Sequence, residues 1–215
     1  MVRLAAFVFV FELACLASGS VITGFVTADN HYALFSGSAD GASMEYWGRN
    51  ERGRGGNPGR YNWSLPEYFD ITTDASYLYL VAWSDDRVAQ GVLADLRIDG
   101  LALRSGDPRW EVYPTGLDLD DNDPVPCVGA IARQVRAAQR RGWQPIAIGD
   151  CNGARPWGRI PNIGPDARWM WARSGGQNPF GPGGSVGEYL VFRTPVPEPA
   201  TIALMMLGMG FARRR

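Results

Sequence analysis

The chain has 215 residues, 46% apolar and 20% charged, which suits one folded domain with added segments and excludes a disordered chain. Its 27 Gly, 15 Pro and 12% aromatic residues favour turns and short strands over a helical bundle. A formal net charge of −1 offers no electrostatic footprint for nucleic acid, and because all 21 basic residues are Arg, chemistry that needs a catalytic lysine is excluded.

Met1-Val2-Arg3 precedes an apolar run over residues 4–17 and the small residues Ser18-Gly19-Ser20. A positive start, an apolar middle and a small-residue exit are the parts of a secretory signal, assigned to residues 1–19 with cleavage near Gly19 or Ser20. Glu12 interrupts the run, and a buried first strand is the alternative. Cys15 follows Glu12-Leu13-Ala14, a poor lipoprotein box, which wants its apolar residue three positions before the cysteine.

Residues 20–195 read as one β-rich domain without internal repeats. Residues 21–27 and 32–35 are predicted strands divided by Asp29-Asn30, and a glycine-rich loop over 48–59 carries Arg49, Arg52 and Arg54, with Arg60 just beyond. Strands follow at 68–71 and 77–83, the second nearly all apolar and therefore central. Residues 91–98 and 101–104 flank Asp99-Gly100, a hairpin signal. After Asp123-Pro124, the residues Val128, Ile131, Val135 and Ala138 recur at helical spacing, and Gly142 ends the helix. Late strands are predicted at 169–171 and 189–192.

The C-terminus reads Pro195-Val196-Pro197-Glu198-Pro199-Ala200, an apolar run over 201–212, then Arg213-Arg214-Arg215. Physically this is a stiff spacer, an apolar segment and a cationic stop. The segment is about 13 residues long, against roughly 20 for a helix that spans a bilayer. It can still bury if the arginines snorkel, and their charge holds that end on the cytoplasmic side. The order Pro197-Glu198-Pro199, apolar helix, Arg213 to Arg215 resembles the PEP-CTERM sorting signal of Gram-negative bacteria. The resemblance implies export through the Sec translocon, a transient hold in the inner membrane by a short anchor helix, and removal of the tail by the membrane protease exosortase. It also implies delivery to the cell surface or the extracellular polysaccharide matrix. The sorting signal is assigned to residues 196–215. Removal of residues 1–19 and 200–215 takes Arg3, Glu12, Arg213, Arg214 and Arg215 and leaves 17 Arg against 21 acids, a net charge of −4.

The body has its own resemblance. Thr27-Ala28-Asp29-Asn30-His31-Tyr32-Ala33-Leu34-Phe35, the strand at 77–83, Gln90-Gly91-Val92-Leu93-Ala94 and the Trp83-Ser84-Asp85-Asp86 loop are similar to galactose-binding-like jelly-roll modules of extracellular bacterial proteins. Pro156-Trp157-Gly158-Arg159-Ile160-Pro161 and residues 188–194 resemble PEP-CTERM proteins of this architecture. The resemblance implies a mainly β chain: a jelly-roll β-sandwich with one inserted α-helix, flanked by a signal helix and a C-terminal anchor helix. It describes a fold and leaves the ligand open.

Few constellations point to chemistry. Cys127 and Cys151 alone remain after signal removal, and in an oxidising compartment two cysteines read as one disulfide. It would close a loop of about 25 residues and stabilise by roughly 3 kcal/mol. Asp118, Asp120 and Asn122 take the first three positions of a calcium loop, but Asp123 stands where Gly is wanted and Gly129 where Glu is wanted. The alternative is a solvated turn whose last Asp caps the helix. His31, the only histidine, reads as surface or structural. Residues 183–187 match an esterase elbow without its strand–turn–helix setting. Among the aromatics, Trp47, Trp63 and Trp157 lie beside Gly, Arg and Asn in loops. Together with Asp29 and Asn30 they are candidates for stacking and hydrogen bonding a sugar, the alternative being rings that cap the sandwich. The expectation is an exported, non-catalytic structural or polysaccharide-binding protein with no cofactor beyond a possible calcium and no nucleic-acid partner. The competing reading is a carbohydrate-active hydrolase with paired carboxylates.

Overall fold

The computed structural model describes residues 19–50, 62–85, 87–121, 123–182, 184 and 187–197. Residues 1–18 of the signal, most of the arginine-bearing glycine loop, Glu198, Pro199 and the tail to Arg215 lie outside the described residues, as do Asn122 and most of the elbow-like segment.

Two antiparallel sheets form a sandwich. In chain order the elements are β1 (Ser20–Asp29), β2 (His31–Gly37), β3 (Met44–Arg49), β4 (Glu67–Thr73), β5 (Tyr77–Trp83), β6 (Gly91–Ile98), β7 (Leu101–Arg104), β8 (Glu111–Pro114), α1 (Val128–Arg141), β9 (Gln144–Pro145), β10 (Ala147–Cys151), β11 (Arg168–Trp171) and β12 (Leu190–Pro195). One sheet runs β10-β11-β6-β1-β4, with β7 beside β6, and the other runs β3-β2-β5-β12-β8-β9. The expected sandwich with one helix is therefore present. Asp99 and Gly100 both take positive φ, 49° and 83°, as a two-residue hairpin turn with right-handed strand twist requires.

Strand alternation sorts side chains into layers. Ile22, Val26 and Ala28 of β1, Val92, Ala94 and Leu96 of β6, Leu78, Leu80 and Ala82 of β5, and Leu190 and Phe192 of β12 meet between the sheets. The opposite face of β5 is also buried: Tyr79, Val81 and Trp83 join Ala33, Phe35 and Val191 beneath Ile131 and Val135 of α1. This double burial explains the nearly continuous apolar run of β5. A third cluster lies on the outer face of the first sheet, where Leu93 and Trp169 are covered by Trp157, Ile160, Ile163 and Ala167. Asn152 holds that covering loop in place: its Nδ2 donates to Ile160 O (3.0 Å) and Ile163 O (2.7 Å), and its Oδ1 accepts Ile160 N–H (2.7 Å).

The layers correct the disulfide expectation. Cys127 precedes α1, outside the second sheet, whereas Cys151 ends β10 in the first sheet, and both thiols are free and exposed. The helix and β9 stay with the second sheet, and the chain crosses to the first sheet only between Pro145 and Ala147, so the segment between the cysteines runs from one layer to the other. Among the described residues no helix is long and apolar enough to cross a membrane; both expected membrane-directed helices fall outside those residues.

The register also gives the sandwich two unlike poles. Ser20 pairs with Thr73, and Gly37 and Pro195 both pair with Tyr77. At the far end Asp29 pairs with Gly91, His31 with Trp83 and Leu190 with Pro114. Ser20 Oγ donates to Pro197 O (3.2 Å), and Val196 N–H donates to Ser76 O (2.9 Å). The first and last strands thus meet the same pole, and the ten-residue β1 sets the other roughly 30 Å away.

Candidate functional site

Asp29 and Asn30 form the far-pole turn from β1 into β2, and both are buried. Asp29, 9% exposed, accepts a hydrogen bond from Trp157 Nε1 (2.6 Å). Burial pushes its carboxyl up to about 6; the Trp157 bond works against this, and the nearby Asp85 charge adds to it. Asn30 is a cross-link. Its Oδ1 accepts from Ser84 Oγ (3.3 Å) and Asp85 N–H (3.0 Å), and its carbonyl accepts from Asn50 Nδ2 (2.7 Å). Asn50 Oδ1 in turn accepts Tyr32 N–H (3.1 Å). His31 is 2% exposed, stacked on Trp83 with centroids 5.1 Å apart, and its Nε2 lies 3.1 Å from Asp121 Oδ1. Burial lowers the pKa of its imidazole, and the Asp121 bond opposes that shift. His31 is thus a buried tie between β2 and the acidic loop.

The structure brings Asp29, Asn30 and Trp157 together and separates Trp47 from them. Trp157 is 6% exposed and stacks on Trp169 at 4.0 Å, which leaves little open ring face. Trp63 is half-buried against the outer cluster, and its carbonyl accepts from Thr27 Oγ1 (2.8 Å). Trp47 packs on the sandwich core, its Nε1 donating to Ser36 Oγ (2.8 Å) near the other end of β2. Trp157 is enclosed in the fold, whereas Trp47 and Trp63 pack against it with part of each side chain exposed.

The acidic loop makes local bonds. Asp118 Oδ1 accepts Leu119 N–H (2.8 Å), and Asp123 Oδ2 accepts Asp120 N–H (2.8 Å). Among the described residues no three His, Cys, Asp or Glu side chains gather as a metal site. Asp123 does not cap α1 either: the N-cap is Cys127, without a side-chain cap bond.

Sequence reasoning missed an open cleft of about 490 Å³ on the β10–β11 side of the first sheet, with Ile148, Asp150, Arg155, Arg168, Asn178 and Phe180 among its lining residues. The Phe180 ring lies against Gly149, where an added Cβ would stand 2.9 Å from the ring. Gln90, fully buried, fixes the loop that carries it through Nε2 bonds to Pro179 O (2.8 Å) and Gly181 O (2.9 Å). The run Asn178-Pro179-Phe180-Gly181 signals a turn, but nothing local signals a ring turned back onto a distant strand. A second hollow, about 550 Å³, lies at the other pole among Ser36, Ser38, Glu45, Thr73, Asp74 and Ser76.

No curated protein and no solved structure matches the chain. Residues 195–215 match the family model described as the PEP-CTERM protein-sorting motif, beginning at the last residue of β12. The motif marks an exported protein, sorted toward the cell surface with exosortase as its processing partner.

Proposed function

We propose that the protein is a non-catalytic component of the cell surface or extracellular matrix, a galactose-binding-like jelly-roll that binds polysaccharide. The observation that carries this reading is the polarity of the sandwich. The sorting motif begins where β12 ends, and Ser20 lies beside Pro197 at the same pole. While the tail is held at the membrane, that pole faces the bilayer and the far-pole loops face outward. Chain crossings between the sheets at β1–β2, β3–β4, β4–β5 and β5–β6 support the jelly-roll reading. The non-catalytic reading is supported by the β10–β11 cleft, which is lined by one carboxylate, Asp150, where glycoside hydrolysis takes two.

Two measurements test the proposal. Intact mass and terminal peptides of the protein from hosts with and without exosortase report processing, with tail loss near residues 197–200 expected only in the first. Affinity electrophoresis in gels containing the host's extracellular polysaccharide reports binding, expected as retarded migration without release of reducing ends. Unretarded migration, or release of reducing ends, would overturn the binding role.

A further inference from the structure

We infer that the β10–β11 cleft takes a carboxylate-bearing sugar, a uronic acid unit of an acidic polysaccharide. The inference rests on the polysaccharide-binding reading and gives it a site and a charge.

The first argument is charge. Arg155 and Arg168 both line the cleft against the single carboxylate Asp150. Four other arginines meet a carboxylate, Arg87 with Asp85, Arg104 with Asp95, Arg109 with Asp107 and Arg193 with Glu111, while Arg97, Arg136, Arg141 and Arg173 donate to neutral oxygens. Among the described residues neither Arg155 nor Arg168 has a carboxylate within ion-pair distance, although Asp150 shares their cleft. What sets Arg155 and Arg168 apart is that both line one concave surface, two guanidiniums against the single carboxylate Asp150, and such an excess of positive charge favours an anionic ligand. The planar fork of arginine suits a carboxylate in particular.

The second argument is pre-organisation. Arg168 Nε–H donates to Gly149 O (2.9 Å), and its stem lies over Gly106, where an added Cβ would stand 2.8 Å from Arg168 Cβ. Arg155 sits on a turn closed by Ala154 N–H to Cys151 O (3.1 Å) and Gly158 N–H to Ala154 O (2.8 Å). Gln90 fixes the opposite wall that carries Phe180. Walls held in this way lose little freedom when a ligand binds.

The third argument is size and lining. A volume of about 490 Å³ falls within the range of small-molecule sites and exceeds what a bare inorganic anion needs. Phe180 and Ile148 offer apolar surface to the faces of a sugar ring, and Asn178 and Asp150 offer polar groups to its hydroxyls.

The test is titration calorimetry of the exported protein with three probes: trigalacturonate, its methyl ester and cellotriose. Arg155→Ala and Phe180→Ala variants are measured beside it, and Tyr46→Ala serves as a control on the other sheet. Melting temperatures confirm that each variant is folded. The expected result is binding of trigalacturonate that weakens as salt rises, at least tenfold weaker binding of the methyl ester, and at least tenfold loss in Arg155→Ala with none in Tyr46→Ala. Equal binding of all three probes, or indifference to Arg155→Ala, would overturn the acidic site while leaving polysaccharide binding in place. Absence of binding by any probe, together with unretarded migration in the polysaccharide gel, would overturn both.

Discussion

At the scale of single residues, Asp29 and His31 set opposed pH dependences within one turn. The folded protein holds the Asp29 proton more tightly than the unfolded chain, with a pKa raised from 3.8 to about 6. Its contribution to stability is therefore fully present below pH 3.8 and lost as pH rises through 6, a difference of up to about 3 kcal/mol. His31 runs the other way. Its pKa is lowered by burial, so its contribution is intact above the unfolded value and lost as pH falls. Asp29→Asn removes the first dependence and keeps an oxygen to accept the Trp157 N–H. We expect the variant to melt higher than the parent at pH 8, with the gap narrowing by pH 4.5 and closing only below pH 3.8. A variant that melts lower at both values would show that the buried charge is not a cost. Asn50→Ala, which leaves Tyr32 N–H without its side-chain acceptor, should cost about 1–3 kcal/mol in urea unfolding. The sequence made Asp29-Asn30 visible because a polar pair interrupts two apolar runs. It hid their partners: Trp157 is 128 residues from Asp29, and no local pattern encodes a contact at that separation.

At the scale of elements, legibility followed periodicity. The helix was readable because Ile131, Val135 and Ala138 are all buried on one face, and β5 because both of its faces are covered. The strands β3, β8, β9 and β10 were not foreseen. β3 is an edge strand, half-exposed on both faces and irregular in register between Leu34 and Phe35 of its partner, and β9 has two residues, so neither offers an alternating signal. The docking of α1 is testable through glycine. Gly41 and Gly116 share a φ of 69°, but a Cβ at Gly41 would stand 3.0 Å from Ala132 O of the helix and 3.1 Å from Val135, whereas at Gly116 it meets nothing within 4 Å. Both Ala variants carry the same left-handed strain of about 1 kcal/mol. Gly41→Ala should cost clearly more than Gly116→Ala in equilibrium unfolding, and equal costs would mean that the helix yields freely. Ile131→Ala, at a fully buried position, should cost about 2–5 kcal/mol.

At the scale of the whole molecule, sequence distance misled for the cysteines and concealed the polarity. A separation that suits a small loop instead spans the thickness of the sandwich, so both thiols should react with Ellman's reagent in the native protein, and a Cys127→Ser, Cys151→Ser double variant should keep the parent melting temperature. The polarity has a consequence for sorting. The chain leaves β12 at Pro195, Val196 is buried with its N–H bonded to Ser76, and the Pro197 carbonyl accepts from Ser20. A protease acting near residues 197–200 must therefore reach the backbone within a few residues of folded structure. That pole also holds the polar hollow beside Gly19 and Asp74. If the folded domain crowds the cut, a six-residue Gly-Ser insertion between Val196 and Pro197 should speed tail removal severalfold in an exosortase host, because it moves Pro197-Glu198-Pro199 away from the pole and keeps the order of that triplet, the apolar run and the arginines. Ser20→Ala, which removes the hydroxyl that donates to Pro197 O, should give a smaller gain in the same direction. Pulse-chase measurement of the processed fraction decides the matter. Unchanged kinetics in both variants would mean that the protease acts before β12 is zipped into the sheet, and that domain folding and sorting are separate in time.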